Sequence, residues 1–434
     1  MTRKKIAIIG SGIAGLTTAA KLHPVHDIHV FEKNAVIGGH THTEHVKINE
    51  QSFAINTGFI VYNDWVYKNF NELMEPLNLK RIPTEMSFSI KDDVTGLEYN
   101  GHNLDTLFAQ RRNLLSPSFY KMIKDILKFN RESIEDYNAN RIPDSLSLAE
   151  YFKQKKLGKM FITKYIVPMG AAIWSSGEAD MLNFPALFFI RFFKNHGLLS
   201  VKDRPQWYTL DGGSEAYLEP LTAPFKDKIT TSAQIKSVAR HDDYVEIIME
   251  NNDCLPFDEV VFACHSDQAL SLLAKPSPEE QAILGAIPYT SNEVILHTDE
   301  TLLPKRKKAW AAWNYHLGAD KTAPASLTYN MNLLQSIENA PVTFCVTLNR
   351  THLINPDKII GRYQYDHPVF GADSENAQAR YHEIGNKNRT HYCGAYWFNG
   401  FHEDGVNSAL RVVTDIALAD STHQTLKQPE MSEA

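Results

Sequence analysis

Gly10, Gly12 and Gly15 stand at the spacing G-x-G-x-x-G, directly after the apolar run Ile6-Ala7-Ile8-Ile9 and directly before a helical pattern from Leu16 to Leu22. Glycines between a buried strand and a helix leave backbone N–H groups bare at a helix N-terminus, and the ligand that suits them is a pyrophosphate. Gly10 permits the tight turn, Gly12 lets the phosphates approach the backbone, and Gly15 lets the helix pack on the strand, with Ile13 and Ala14 in the first helical turn. A second strand, Ile28-His29-Val30-Phe31, ends in Glu32, 20 residues after Gly12, with Lys33 next to it. A carboxylate there accepts hydrogen bonds from both hydroxyls of an adenosine ribose and repels a 2'-phosphate, so a dinucleotide other than NADP is expected. The following Gly38-Gly39-His40-Thr41-His42-Thr43 brings two more glycines and hydroxyl residues to where the chain could fold back over the dinucleotide, a segment that simple NAD dehydrogenases do not need.

Residues 5–43 resemble the N-terminal FAD fingerprint of the flavin-containing amine oxidase and phytoene desaturase superfamily, with Glu32 as the ribose acid and Gly38-Gly39 as the second glycine pair. Over nearly its full length the chain resembles one bacterial branch of that superfamily, described as NAD/FAD-binding amine-oxidase-like proteins. The resemblance implies FAD as cofactor and an α/β fold: a FAD-binding Rossmann-like (GR2-type) domain with an inserted α+β substrate domain. The implied FAD-binding domain is discontinuous (1–60, 205–285 and 388–424), the substrate domain comprises 61–204 and 286–387, and the polar residues 425–434 form a disordered tail. It further implies that the backbone around Val238 faces the adenine, that His40, Thr41 and Gly58 lie near the cofactor, and that the last helix starts beneath the flavin ring. Reduced flavin carries negative charge near N1, which a helix N-terminus stabilises. Gly405 and Val406 are the candidate donors, and Glu403 or Asp404 the candidates for the ribityl chain.

The rest of the chain must position these groups. Ser116-Pro117 and the capping box Ser147-Leu148-Ala149-Glu150 open helices, and 161–174 and 184–193 are strongly apolar and aromatic helices. Strands are expected at 208–210, 229–238, 244–250 and 257–264, then an antiparallel set at 293–297, 326–331 and 342–348, and a last strand at 391–396. Residues 400–408 precede the final helix.

With 434 residues, 43% of them hydrophobic, the chain can bury more than one domain. Its net charge of -7 lacks the broad positive field of nonspecific nucleic-acid binding, so no nucleic-acid partner is expected. Cys254, Cys264, Cys345 and Cys393 form no C-x-x-C pattern and suit a reducing, cytoplasmic setting. The basic start Arg3-Lys4-Lys5 imitates a secretory leader, but glycines cut the apolar run short. The best membrane candidate, 186–199, carries Arg191, Lys194 and His196 and falls short of the roughly 18 to 20 apolar residues of a span, so any membrane contact is peripheral, at the inner face.

The clustered His40, His42 and His45 break strand register, and His402-Glu403 lacks the second histidine of H-E-x-x-H because Val406 occupies it, so no metal is expected. No G-x-S-x-G supports a hydrolase. Flavin oxidation needs a C–H bond held against N5 and a route for a proton. Trp174, Trp313, Tyr315, Tyr396 and Trp397, together with Trp207, are the candidates to line the flavin face. Two aromatics would cage an amine, whereas a longer apolar tunnel would hold an acyl chain.

Three departures weaken an amine substrate. Asn56-Thr57-Gly58 replaces the family's usual aspartate before glycine, Gly394-Ala395 replaces Gly-Glu, and the lysine that reaches flavin N5 through water in many amine oxidases has no evident counterpart. Proteins of the resembled branch are often encoded beside enzymes that alkylate unsaturated phospholipid acyl chains, which implies a lipid substrate, with oxygen or another acceptor reoxidising the flavin. The alternatives are an amine oxidase and a noncatalytic lipid carrier on the same fold. Cys393 and His40 are the weak candidates for covalent flavin attachment. Glu32→Ala is expected to lower FAD occupancy of the purified protein severalfold, read from the visible absorbance per protein; unchanged occupancy would contradict the register of the second strand.

Overall fold

The computed structural model describes residues 3–174, 177–320 and 325–426. A five-stranded parallel sheet runs in the order Ile229–Thr230, Asp27–Phe31, Lys5–Ile9, Glu259–Phe262, Thr390–Tyr392. Its strands come from three distant stretches of chain. Because successive side chains on a strand point to opposite faces, Ile6, Ile8 and Val261 enter one core with the helices Ile13–Leu22 and His402–Leu426, while Ala7, Ile9, Val260 and Phe262 enter a second core on the other face. Both faces are covered, which is why these strands read as unbroken apolar runs. Each fully buried Ile or Val contributes about 1.5–3 kcal/mol. Gly15 fixes how closely the first helix sits on this sheet: a Cβ there would lie 2.0 Å from the Gly10 carbonyl oxygen.

A seven-stranded sheet forms the other half, in the order Ile359–Pro368, Tyr289–His297, Cys345–Leu348, Leu327–Asn330, Trp313–Leu317, Phe88–Asp92, Glu98–Asn100. The expected antiparallel sheet is mixed, since Trp313–Leu317 pairs in parallel with Phe88–Asp92, a strand contributed from far upstream. Over this sheet lies a helical layer that includes Pro117–Asn138, Leu148–Gln154 and Ala186–Asn195, with the caps at Ser116 and Ser147 formed as the sequence signals. The apolar stretch 159–174 is helical but contains a π turn over Ile162–Ile166. Pro168 explains it. Proline has no N–H to give the carbonyl four residues back and its ring crowds that group, so the helix widens. The Lys164 carbonyl instead accepts the Tyr99 hydroxyl at 2.6 Å.

Two local expectations are corrected. The strand at 229–238 is split: Ile229–Thr230 belongs to the parallel sheet and Ile235–Arg240 to a separate antiparallel sheet, because Ser232 turns at φ +54° and Ser232 and Ala233 donate to the carbonyls of Asn34 and Glu32. The strand expected at 208–210 forms as Trp207–Leu210 and pairs with Tyr62–Asn63 and Arg81–Thr84. The final helix starts at His402, inside the segment read as a preceding loop, because the Asp404 carboxylate reaches back to accept the Phe401 N–H at 2.9 Å and caps the first turn. It extends to Leu426, so residues 425–426 are helical, and 427–434 of the expected tail lie outside the described residues. Among the described residues no helix is long and apolar enough to cross a membrane.

Candidate active site

The two halves enclose one cavity of about 1530 Å³ that runs from the glycine turn to the helical layer. Single-ligand pockets span roughly 300–1,000 Å³, so this one has room for a dinucleotide and a substrate together. At the glycine end the lining includes Gly10, Gly12, Ile13, Ala14, Glu32, Lys33, Gly38, Gly39, His40 and Gly58, as expected from their order in the chain. The Gly12 Cα faces open space, with nothing within 4 Å of where a Cβ would stand. Glu32 is already held by the protein: Ser11 donates from its N–H at 3.1 Å and its hydroxyl at 2.6 Å, and the Asn34 N–H donates at 2.9 Å. These three donors set the carboxylate at the mouth of the turn. Gly58 lies against the second glycine loop, where any Cβ would meet the His40 carbonyl oxygen at 2.1 Å.

Several expected cofactor residues act from behind this wall. Gly15 packs helix on strand and does not line the cavity. Thr41 is also outside it; its hydroxyl joins Tyr217 at 2.6 Å and His402 Nε2 at 2.9 Å, tying the second glycine loop to the start of the last helix. Glu403 points away and accepts the N–H groups of Asn69 and Phe70 at 2.9 and 2.8 Å, neutralising the open N-terminus of the helix Lys68–Met74. Asp404 caps its own helix, and Val406 is buried in the core. Gly405 does line the cavity, but its N–H is taken by the Phe401 carbonyl at 3.1 Å; its contribution is close approach, since a Cβ would stand 2.7 Å from Ile13 Cγ2. The donors left by helix geometry are those of His402 to Asp404, all N-terminal to the expected Gly405 and Val406.

Val238 faces the core beside the antiparallel sheet, and Ala233, Gln234 and Ile235 line the cavity in its place, a shift that follows from the turn at Ser232. Of the aromatic candidates, Trp174, Trp207, Trp313 and Tyr396 line the cavity. Tyr315 shares a strand face with Trp313 but lies one pleat further along, buried in the helical core beyond the cavity, and Trp397 packs against Tyr381 behind the wall. Cys393 sits 3.7 Å from the Thr18 hydroxyl, outside the lining. Asn56, where an aspartate was the family pattern, accepts the Ser214 N–H and the Thr43 hydroxyl and so joins two loops. His42 pairs with Thr57 and His45 with Glu215, and among the described residues no group of three or more His, Cys, Asp or Glu is placed to hold a metal.

The sequence reading missed a ring of imidazoles. His265 and His367 stand beside His40, with ring centroids 6.0 and 5.5 Å from it, and Tyr365 lies 5.2 Å away. His265 stacks on Tyr289 and His367 hydrogen-bonds Asn292 at 3.0 Å. His402 stacks on Phe59 at 3.6 Å. No short-range motif marks these residues, because strand pairing and sheet closure bring them together. Burial keeps the ring uncharged: it lowers His265, pushes His40 well below the ordinary imidazole range, His367 down to about 4 and His402 to about 3. His196, on the helical side, is likewise pushed down to about 4.

The residues present fit an FAD. His40 Nε2, Trp313 Nε1 and the Tyr396 hydroxyl are buried, border the cavity and have no hydrogen-bond partner in the protein, which a buried polar atom rarely tolerates without a ligand or water. FAD would be held by the first glycine turn and Glu32 at one end and by the His40 loop and the 402–404 helix start at the other. Burial also raises the Asp404 carboxyl to about 7, and raises Glu403. An unfolded Asp ionises near 3.9, so between about pH 4 and 7 the folded state binds the extra proton and stability falls as pH rises, by on the order of 1.4 kcal/mol per pH unit, levelling above 7. Asp404→Asn is expected to flatten that decline in denaturant melts, leaving the shallower slope from Glu403; an unchanged slope would refute the assignment.

No curated protein sequence matches the chain. Among solved structures it is similar to a variant of putrescine oxidase (12% identity, 96% of this chain and 99% of that one, TM-score 0.68), to cyclohexylamine oxidase from Brevibacterium oxydans (14%, 96% and 100%, 0.68) and to a CLA-producing fatty acid isomerase from P. acnes (14%, 95% and 98%, 0.65). At these identities the likeness is one of fold. The family model of the flavin containing amine oxidoreductases matches residues 13–342, most of the chain. With the glycine turn, Glu32 and the unpartnered polar atoms around one cavity, the chain belongs to the flavin-containing amine oxidoreductase family and is an FAD-dependent oxidoreductase.

Proposed function

We propose that the enzyme oxidises an apolar, unsaturated acyl chain. The observation that carries this reading is an inner chamber that is mostly apolar, with the exposed Arg204 as the charged side chain nearest it and no buried carboxylate among the described residues. Its wall is built from Tyr165, Met169, Ile173, Trp174, Phe192, Leu198, Trp313, Tyr329 and Phe370, and the imidazoles that interrupt it are held neutral. An ammonium entering this space would lose its hydration without meeting a carboxylate, a cost of several kcal/mol, whereas a hydrocarbon chain gains about 0.8 kcal/mol per buried CH₂. The acidic lining residues Glu32, Glu85, Glu338 and Asp366 lie at the adenosine end or are partly exposed.

FAD, when bound, supplies a two-electron acceptor for a hydride. The chain's own groups orient and desolvate. The π turn that Pro168 imposes sets Tyr165 and Met169 against the cavity, and Trp313 and Phe370 close the opposite side. Holding one C–H bond in a fixed dry geometry is the contribution such a wall makes to rate. The proton released passes to solvent, while His40 Nε2, kept uncharged by burial and without a protein partner, is left to accept a hydrogen bond at the reacting end. The same reading keeps the domain limits expected from the sequence, with the acyl chain entering between the two parts, and takes oxygen as the acceptor that completes the cycle. The fatty acid isomerase of similar fold is consistent with acyl chains fitting this architecture.

Amine oxidation is the second reading, favoured by the family's name and by the aromatic pair Tyr365 and Tyr396 at the cavity wall. The FAD-loaded protein, mixed anaerobically with unsaturated acyl lipids and separately with an amine panel, is expected to lose its visible flavin absorbance with a lipid. Ile173→Trp is expected to raise the lipid concentration for half-bleaching by about tenfold at unchanged flavin content, as filling the pocket removes room for about one or two methylenes. Bleaching by amines alone would overturn the acyl reading, and a protein that retains no flavin would favour a noncatalytic carrier.

A further inference from the structure

The cavity meets the surface beside Glu85 and His102, whose side chains are 39% and 48% exposed. Two residues further along, the short helix Leu104–Leu107 presents Leu104 at 75% exposure. The turn Arg111–Leu115 then presents Leu114 at 45% and Leu115 at 88%. On Pro117–Asn138, Tyr120 and Leu127 are seven residues apart and therefore share a face, exposed at 46% and 53%, with Lys124 between them. These five are a large share of the fourteen exposed large apolar side chains among the described residues, and they fall within 24 consecutive positions. An exposed leucine is unremarkable alone, but a cluster of them calls for a partner.

The charge around the cluster opposes that of the whole chain. The stretch 104–128 and the run Lys305-Arg306-Lys307-Lys308 together carry nine basic side chains against Asp105 and Asp125, in a protein of net charge -7. The two segments are joined: Lys308 Nζ lies 2.8 Å from Asp105, on the helix that bears Leu104. All four side chains of the basic run are exposed.

We propose that this face docks the enzyme on an anionic lipid membrane, with the leucines in the headgroup boundary and the lysines and arginines over the phosphates. Apolar side chains ringed by basic ones suit such a surface. A second copy of the chain suits it poorly, because a two-fold contact would bring the same positive patch against itself. The docking places the opening at Glu85 and His102, one of several exposed stretches of the cavity lining, against the bilayer, so an acyl chain could enter there without crossing water; in that respect the inference rests on the acyl reading of the chamber.

Co-sedimentation of the FAD-loaded protein with vesicles tests it without turnover. Vesicles of equimolar phosphatidylcholine and phosphatidylglycerol are expected to carry the protein down, with about tenfold weaker association for phosphatidylcholine alone and weakening by salt. The double variant Leu114→Asp, Leu115→Asp is expected to lose about tenfold in association at an unchanged flavin spectrum, and Lys307→Glu, Lys308→Glu to lose the preference for the anionic lipid. Absence of sedimentation with the mixed vesicles, or equal sedimentation of the leucine variant, would overturn the proposal. So would a concentration-dependent dimer in sedimentation velocity that the leucine variant dissociates, because the face would then join two copies. Vesicle binding without bleaching by a soluble acyl substrate would sink the acyl reading and leave the docking face standing.

Discussion

Everything at the cofactor end depends on backbone approaching backbone where no Cβ can fit. The first helix reaches the sheet only because position 15 is bare, the second glycine loop reaches residues 57–59 only because position 58 is bare, and the last helix reaches Ile13 only because position 405 is bare. Polar clamps then hold the contacts from outside the cavity. Ser11 and Asn34 fix Glu32, Thr41 links Tyr217 to His402, and Glu403 closes the N-terminus of Lys68–Met74. A groove assembled this way presents N–H groups and a carboxylate to a ligand while its own supports stay dry.

The substrate end follows a different rule. Its wall is set by a helix that Pro168 widens and by strands from both halves of the chain, and burial removes the charge from His196 and His402, which border it. The contrast between a polar groove and a neutral chamber within one cavity is what distinguishes the two ligands. On the acyl reading it is also what sets this chamber apart from an amine site, since no buried carboxylate stands on the inner wall among the described residues.

The cofactor half was largely legible because its determinants are local: a strand, a glycine turn and a helix follow each other within eighteen residues, and Glu32 directly follows the next strand. Legibility failed where the determinant was distant. Glu403 looked like a ligand for the cofactor, but its partners are Asn69 and Phe70, more than three hundred residues upstream. Val238 was displaced from the cavity by the turn at Ser232, which hydrogen bonds to Asn34 and Glu32 impose. The imidazole ring of His40, His265 and His367 gave no signal, since its members lie on three segments that only the tertiary fold brings together. Tyr315 and Trp397 show the limit of reading aromatic residues as a set, because core packing takes both away from the cavity.

The central claim is that one cavity holds FAD at its glycine end and an acyl chain at its helical end. The most direct measurement is a crystal structure of the FAD-loaded protein with a long saturated fatty acid, which can occupy the chamber as an unreacted chain. The account predicts density for the hydrocarbon between Ile173, Phe192 and Trp313, passing toward His40 and Tyr396, with the carboxylate directed to Glu85 and His102 at the surface. Density for the chain anywhere else, or a chamber filled by ordered water in its presence, would contradict it.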